Sequence, residues 1–236
     1  MYILTTPPPG INLEFAALLL TKGCNVLIAD LKLTTEAEKA IEANNASAGA
    51  QGGGARAVFQ QTDVTDWSQL ARTFEVANEH FGSVDLVCPG AGVFEPNFSS
   101  FWHPPGVEGS PSKDPASGFG HYASLDINLV HPIRMTQLAI SWFLNPLKGP
   151  KASPQNPKRV VCIASIASEI AFPGAPLYVA TKWGVSGFVR SLDVLEPQYG
   201  IRVNAVAPGI GEHRTPYLAR ELWLMVRYSQ NTSVDR

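Results

Sequence analysis

The chain has 236 residues, 45% of them hydrophobic and 16% charged, with a net charge of −2. That length can bury one full core, and the charge balance offers no electrostatic case for nucleic acid or an anionic membrane as partner. Cys24, Cys88 and Cys162 lie far apart in apolar runs without CxxC spacing, which favours reduced, buried thiols over disulfides.

Short apolar runs alternate with amphipathic stretches along the chain. Residues 2–6 (YILTT), 25–30 (NVLIAD), 56–62 (RAVFQQT), 84–88 (VDLVC), 158–164 (KRVVCIA) and 201–206 (IRVNAV) read as buried strands. Between them, 12–22, 34–45, 66–82, 122–144 and 176–199 carry helical periodicity. This alternation predicts an α/β fold: one Rossmann-like domain over residues 1–236, a doubly wound parallel sheet flanked by helices, with ligands at the carboxyl ends of the strands. Two Pro/Gly/Ser-rich insertions interrupt it. Residues 96–121 carry Phe98, Phe101 and Trp102 and follow the carboxyl end of a strand. They are expected either to touch substrate or a partner subunit, or to form plain surface. Residues 145–158 follow a helix that has run back, and are expected as a passive loop on the opposite rim. After Pro216, residues 217–229 supply one amphipathic helix, and no last strand is expected to close the sheet. The first residues lack the basic region of a signal peptide and nothing approaches a membrane span, so a cytoplasmic location is expected.

The strongest chemical signal is Tyr178 and Lys182 in LYVATKWG. Positions i and i+4 share one helix face, so phenol and ammonium can meet at one reacting centre. An adjacent ammonium favours the phenolate and makes tyrosine a usable general acid/base. The bland reading is an amphipathic helix with a buried Tyr and an exposed Lys. Ser165 ends the run RVVCIAS thirteen residues earlier, where its hydroxyl can bond a substrate oxygen or simply cap a helix. Pro208-Gly209 forms a rigid turn after another strand. The five histidines form no ligand spacing with the cysteines, so no metal is expected.

With Asn128 in LDINLVHP, these motifs resemble the short-chain dehydrogenase/reductase family over most of residues 2–216. Within it the likeness is to fungal members similar to 15-hydroxyprostaglandin dehydrogenase. The resemblance implies hydride transfer between a nicotinamide coenzyme and an alcohol/carbonyl pair. Tyr178 would pass the proton, Ser165 would hold the substrate oxygen, and Lys182 would bind the nicotinamide ribose and tune Tyr178. Asn128 would shape its helix and support a relay water. Coenzyme contacts would come from Gly10, Ile11, Asn12, Asp30, Leu31, Asp63, Val64, Gly90, Ala91, Gly92, Tyr178, Lys182, Pro208, Gly209 and Thr215. Asp30 closes a strand eighteen residues beyond Asn12, where a carboxylate accepts the ribose hydroxyls of NAD and repels the phosphate of NADP. NAD is therefore expected over NADP, although an Asp at a strand end is also a common turn residue.

Three departures stand against the family pattern. Where it reads TGxxxGxG, this chain has Thr5-Thr6-Pro7-Pro8-Pro9-Gly10-Ile11-Asn12. The prolines donate no N–H and exclude positive φ, and Asn12 puts a side chain where backbone should approach the pyrophosphate, though its amide could donate to a phosphate. Where the family has NNAG, this chain has Pro89 in CPGAG, which removes the amide bonds to neighbouring strands. Finally, Thr215 falls two residues late after Pro208-Gly209. Val93, Phe94, Ile166, Ala167, Ile170, Phe172 and Pro173 suggest a small lipophilic alcohol or ketone as substrate. The expectation is thus an NAD-dependent oxidoreductase, homodimeric by resemblance. The competing expectation is a catalytically impaired relative serving as a weak ligand-binding or interaction protein.

Overall fold

The computed structural model describes residues 2–5, 11–50 and 53–209. Pro7, Pro8, Pro9, Gly10, Thr215 and the expected helix at 217–229 lie outside them, as does the question of a closing strand. Six parallel strands form one sheet in the order β3-β2-β1-β4-β5-β6. They are β1 (Tyr2–Thr5), β2 (Val26–Asp30), β3 (Ala57–Gln61), β4 (Leu86–Pro89), β5 (Lys158–Ile163) and β6 (Ile201–Val206). The chain winds outward from β1 through β2 to β3, then returns to the other side of β1 for β4. That reversal leaves a crevice at the carboxyl ends of β1 and β4, where ligands bind in sheets of this kind.

Each central strand is apolar on both faces because both are covered. In β1, Ile3 joins a core with Phe74, Val87, Met135, Phe143 and Val185, while Leu4 joins Phe15, Leu19, Ile28 and Leu86 on the other face. The first face is covered by α3 (Trp67–Phe81), α5 (His131–Leu144) and α6 (Pro176–Arg190), and the second by α1 (Ile11–Thr21) and α2 (Thr35–Ala50). Asp66 caps α3, its side chain accepting from the N–H groups of Ser68 and Gln69.

Two helical stretches are less regular than their periodicity implies. Residues 122–144 form a short α4 (Ala123–Leu125), a π-helical turn (Asp126–Val130) and then α5. Residues 176–199 divide into α6 and α7 (Leu195–Tyr199). Pro197 explains the second break: its ring clashes with the carbonyl four residues back, so it is accommodated in the first turn of a new helix. No described helix is long and apolar enough to cross a membrane. Residues 145–158 lie at the opposite rim from the crevice, where Ser153 packs beside Gly200 just ahead of β6.

Candidate active site

The carboxyl ends of the central strands are held together by a hydrogen-bond network that starts at Thr5. Its hydroxyl accepts the N–H groups of Gly90 (2.9 Å) and Ala91 (3.2 Å). Its remaining contact, 3.1 Å to His131 Nε2, must then use the hydroxyl proton, so this imidazole nitrogen accepts. His131 Nδ1 carries the ring hydrogen and donates it to the carbonyl of Ile127 at 3.2 Å. Burial holds His131 neutral, its pKa down at about 4. One residue from Ile127, Asn128 grips the same loop: its amide donates to Val93 O and its oxygen accepts from Val93 N–H, each at 2.8 Å. The π-helical turn thus braces Gly90 to Val93 at both ends.

Asn12 works from the opposite face. It is buried, and its Nδ2 donates to the carbonyls of Thr5 (2.8 Å) and Cys88 (3.3 Å). A Cβ on Gly90 would lie 2.1 Å from that nitrogen, so Gly90 leaves the space the amide fills. Both hydrogens are committed, which corrects the expectation that this amide could reach a phosphate. It also corrects the loss expected at Pro89: the amide bridging β1 and β4 is supplied by α1 instead.

Beyond this loop lies a cavity of about 480 Å³. Tyr178 and Lys182 reach it from α6, Ser165 from the end of β5, and Ile11, Gly90, Gly92, Pro208 and Gly209 close its inner side. Lys182 is buried beneath Tyr178, its Nζ 5.5 Å from the ring centre and donating to Ile163 O at 2.6 Å. Desolvation lowers its pKa to about 8. The reading of an exposed lysine therefore fails. Ser165 caps a short 3₁₀ turn (Ile166–Ser168), its oxygen accepting from Ala167 N–H at 3.1 Å, and it also lines the cavity with a hydroxyl proton to donate. Phe94 and Phe172 form the outer wall, Phe94 standing edge-on to Tyr178 at 4.9 Å and 5.8 Å from Phe172.

A second cavity of about 120 Å³ adjoins the first through Gly92 and Val93 and brings together Asp30, Leu31, Asp63, Val64, Ala91 and Ile127. Asp30 Oδ1 accepts from Leu31 N–H at 2.6 Å, and Asp63 Oδ1 accepts from the backbone N–H and hydroxyl of Thr65. A carboxylate acceptor beside the apolar side chains of Val64 and Ile127 suits a ribose diol and a flat base. These residues fit the ribose and base of a dinucleotide held at the carboxyl ends of the strands.

Residues 2–220 match the family of short chain dehydrogenases. The chain belongs to that family. Among relatives, human 15-hydroxyprostaglandin dehydrogenase [NAD(+)] is 28% identical over 209 residues, 88% of this chain and 66% of its own length. Galactitol 2-dehydrogenase of Agrobacterium fabrum is 27% identical over 216 residues, covering 89% and 71% of the two chains. This short-chain dehydrogenase therefore spans about two thirds of the length of such relatives. Two solved structures share the fold: LigO of Sphingobium sp. strain SYK-6 in its apo form (TM-score 0.71, 22% identity, 97% of this chain and 79% of that one), and an NADH-dependent reductase, A1-R′, complexed with NAD (TM-score 0.68, 20% identity, 89% and 78%).

Of the site residues expected from the sequence, Ser165, Tyr178, Lys182, Ile11, Gly90, Gly92, Pro208 and Gly209 share the larger cavity. Asp30, Leu31, Asp63, Val64 and Ala91 share the smaller, and Asn128 stands behind both. Gly10 and Thr215 lie outside the described residues. Sequence reasoning missed Thr5, Glu95 and His131. Glu95 and His131 each leave a trace in the sequence: a polar residue alone in an apolar context beside a proline, in VFEP and LVHP.

Proposed function

We infer that this short-chain dehydrogenase interconverts a lipophilic secondary alcohol and its ketone, using NAD(H) in preference to NADP(H). The observation that carries this reading is that Ser165, Tyr178 and Lys182 line a single cavity. The coenzyme, when bound, supplies the acceptor or donor of the hydride. Tyr178 exchanges the proton with the substrate oxygen, and the Ser165 hydroxyl holds that oxygen in place. Lys182, held under the ring by Ile163 O, provides positive charge that favours the phenolate. Phe94, Ile166, Ile170 and Phe172 offer an apolar surface to the body of the substrate.

Coenzyme choice rests on Asp30. Titration with NADH and NADPH, followed by nicotinamide fluorescence, should show saturable binding that prefers NADH, and Asp30→Ala should narrow the difference. Tyr178→Phe should abolish turnover of lipophilic alcohols while leaving NADH binding within about twofold; substantial residual turnover refutes the role of the phenol. Asn12 favours one competing reading, an impaired relative with weak coenzyme binding, because its committed amide offers nothing to a phosphate. A folded protein without saturable NADH binding would establish that reading.

A homodimer belongs to the same proposal. An open apolar groove of about 510 Å³ runs between α5 and α6, lined by Trp67, Ile133, Ile140, Phe188 and Leu192. These are the helices on which the family resemblance places the subunit contact. Sedimentation should give a dimer, weakened by Phe188→Glu.

A further inference from the structure

Glu95 follows Phe94 in the turn after β4 and has φ of 37°, the one non-glycine residue in the left-handed region among those described. Holding an ordinary side chain there costs on the order of 1 kcal/mol, and such strain persists where surrounding contacts over-determine it. The contacts here are specific. The carboxylate is buried, and among the described residues no Lys or Arg pairs with it. Its Oε2 instead accepts the N–H of Tyr178 at 3.0 Å. Its Oε1 accepts the N–H of Phe101 at 2.9 Å and the hydroxyl of Ser100 at 3.4 Å.

Tyr178 is the third residue of α6, so its N–H has no partner inside the helix. Ala175, at the cap position, has no side chain that could supply one. Glu95 fills that gap from a different part of the fold and sets its charge against the positive end of the helix. A serine at the cap would satisfy the same N–H but would fix nothing outside α6. A carboxylate anchored beside Phe94 fixes where the helix stands relative to the cavity. The other oxygen fastens the start of the 96–121 insertion, whose Trp102 donates its indole N–H at 2.9 Å to the carbonyl of Pro173, the neighbour of the wall residue Phe172.

We propose that Glu95 is a positioning residue for Tyr178, locking the first turn of α6 and the start of the 96–121 insertion into one unit so that the phenol meets the substrate oxygen. The proposal rests on Tyr178 being the acid/base group, and the test separates the two ideas. Glu95→Gln keeps the shape and one acceptor, but sets an NH₂ against the second N–H donor. It should lower kcat by roughly 10- to 100-fold, since small misplacements of a reacting group have effects of that size, while the KM and Kd for coenzyme stay within about twofold. Glu95→Asp, which keeps the charge and both acceptors, should recover part of the loss. Hydrogen exchange at the Tyr178 amide should quicken in Glu95→Gln. Wild-type kcat in that variant, or a loss shared equally with coenzyme affinity, overturns the proposal. If the wild-type enzyme turns over no alcohol or ketone, the reading of Tyr178 fails by itself. The Tyr178 amide then still reports on the clamp, and unchanged exchange in Glu95→Gln overturns that as well.

Discussion

Replacing Gly90 by alanine tests the contact that joins α1 to the strand ends. The added Cβ would lie 2.1 Å from Asn12 Nδ2 and 2.7 Å from its Cγ, distances that real Cβ atoms do not reach. The amide must therefore leave its site. Its departure strips the buried carbonyls of Cys88 and Thr5 of their amide partner, while Thr5 O retains the Gly90 N–H. At about 1–3 kcal/mol for each buried group left unpaired, Gly90→Ala should destabilise by roughly 2–5 kcal/mol. Asn12→Gly loses the same bonds without the clash and should cost about 2–4 kcal/mol. The double variant has neither amide nor clash, so it should resemble Asn12→Gly alone and fall short of the sum of the two single changes by the whole Gly90→Ala cost, about 2–5 kcal/mol. Equilibrium urea unfolding of the four proteins, with m unchanged, measures that difference. Additive effects, or a Gly90→Ala variant within about 0.5 kcal/mol of wild type, would refute the reasoning.

Two further predictions follow from buried titrating groups. The pKa of Lys182 is about 8 in the fold against 10.5 in the free side chain, so its burial opposes folding fully below pH 8 and ceases to do so as pH rises to 10.5. Lys182→Met should therefore stabilise the coenzyme-free protein at pH 7 by up to about 2 kcal/mol, after the lost bond to Ile163 O is counted, while removing turnover. A lower urea midpoint at pH 7 than wild type would contradict this. His131 titrates at about 4 in the fold against 6.5, so the unfolded chain binds the extra proton and stability falls as pH drops from 6.5 toward 4. Its share is at most about 3 kcal/mol. Urea midpoints at pH 4.5 and 7 should differ less in His131→Gln than in wild type; an unchanged difference removes His131 from this role.

The strands were legible because parallel strands covered on both faces read as unbroken β-branched runs, and NVLIAD, KRVVCIA and IRVNAV each fold within a residue or two of that pattern. The pairing of Tyr178 with Lys182 was legible because a helix brings i and i+4 together. What escaped depends on contacts between residues distant in sequence. Asn12 looks like a misplaced glycine until β4 is known to end beside it, with Pro89 lacking the very amide that Asn12 provides. Glu95 reads as a loop acid until α6 is seen to begin with an alanine cap. His131, weighed only as a metal ligand, closes a network through Thr5, 126 residues away. None of these distances is written in local periodicity.

The π-helical turn at Asp126–Val130 also governs which changes of length this chain tolerates. It carries one more residue than an α-helical turn would, and each residue in a helix advances the side-chain direction by about 100°. Removing a single residue between Asn128 and His131 would restore an ordinary turn, yet would swing one of the two away from its partner, Val93 or Thr5. Everything downstream in α5, including Met135, Ala139 and Phe143 in the core, would rotate with it. Insertions elsewhere in the chain can lengthen a loop and leave the crevice intact, as 145–158 shows at the far rim. Here the helix is tuned by its residue count, and evolution can substitute within this segment far more freely than it can shorten it.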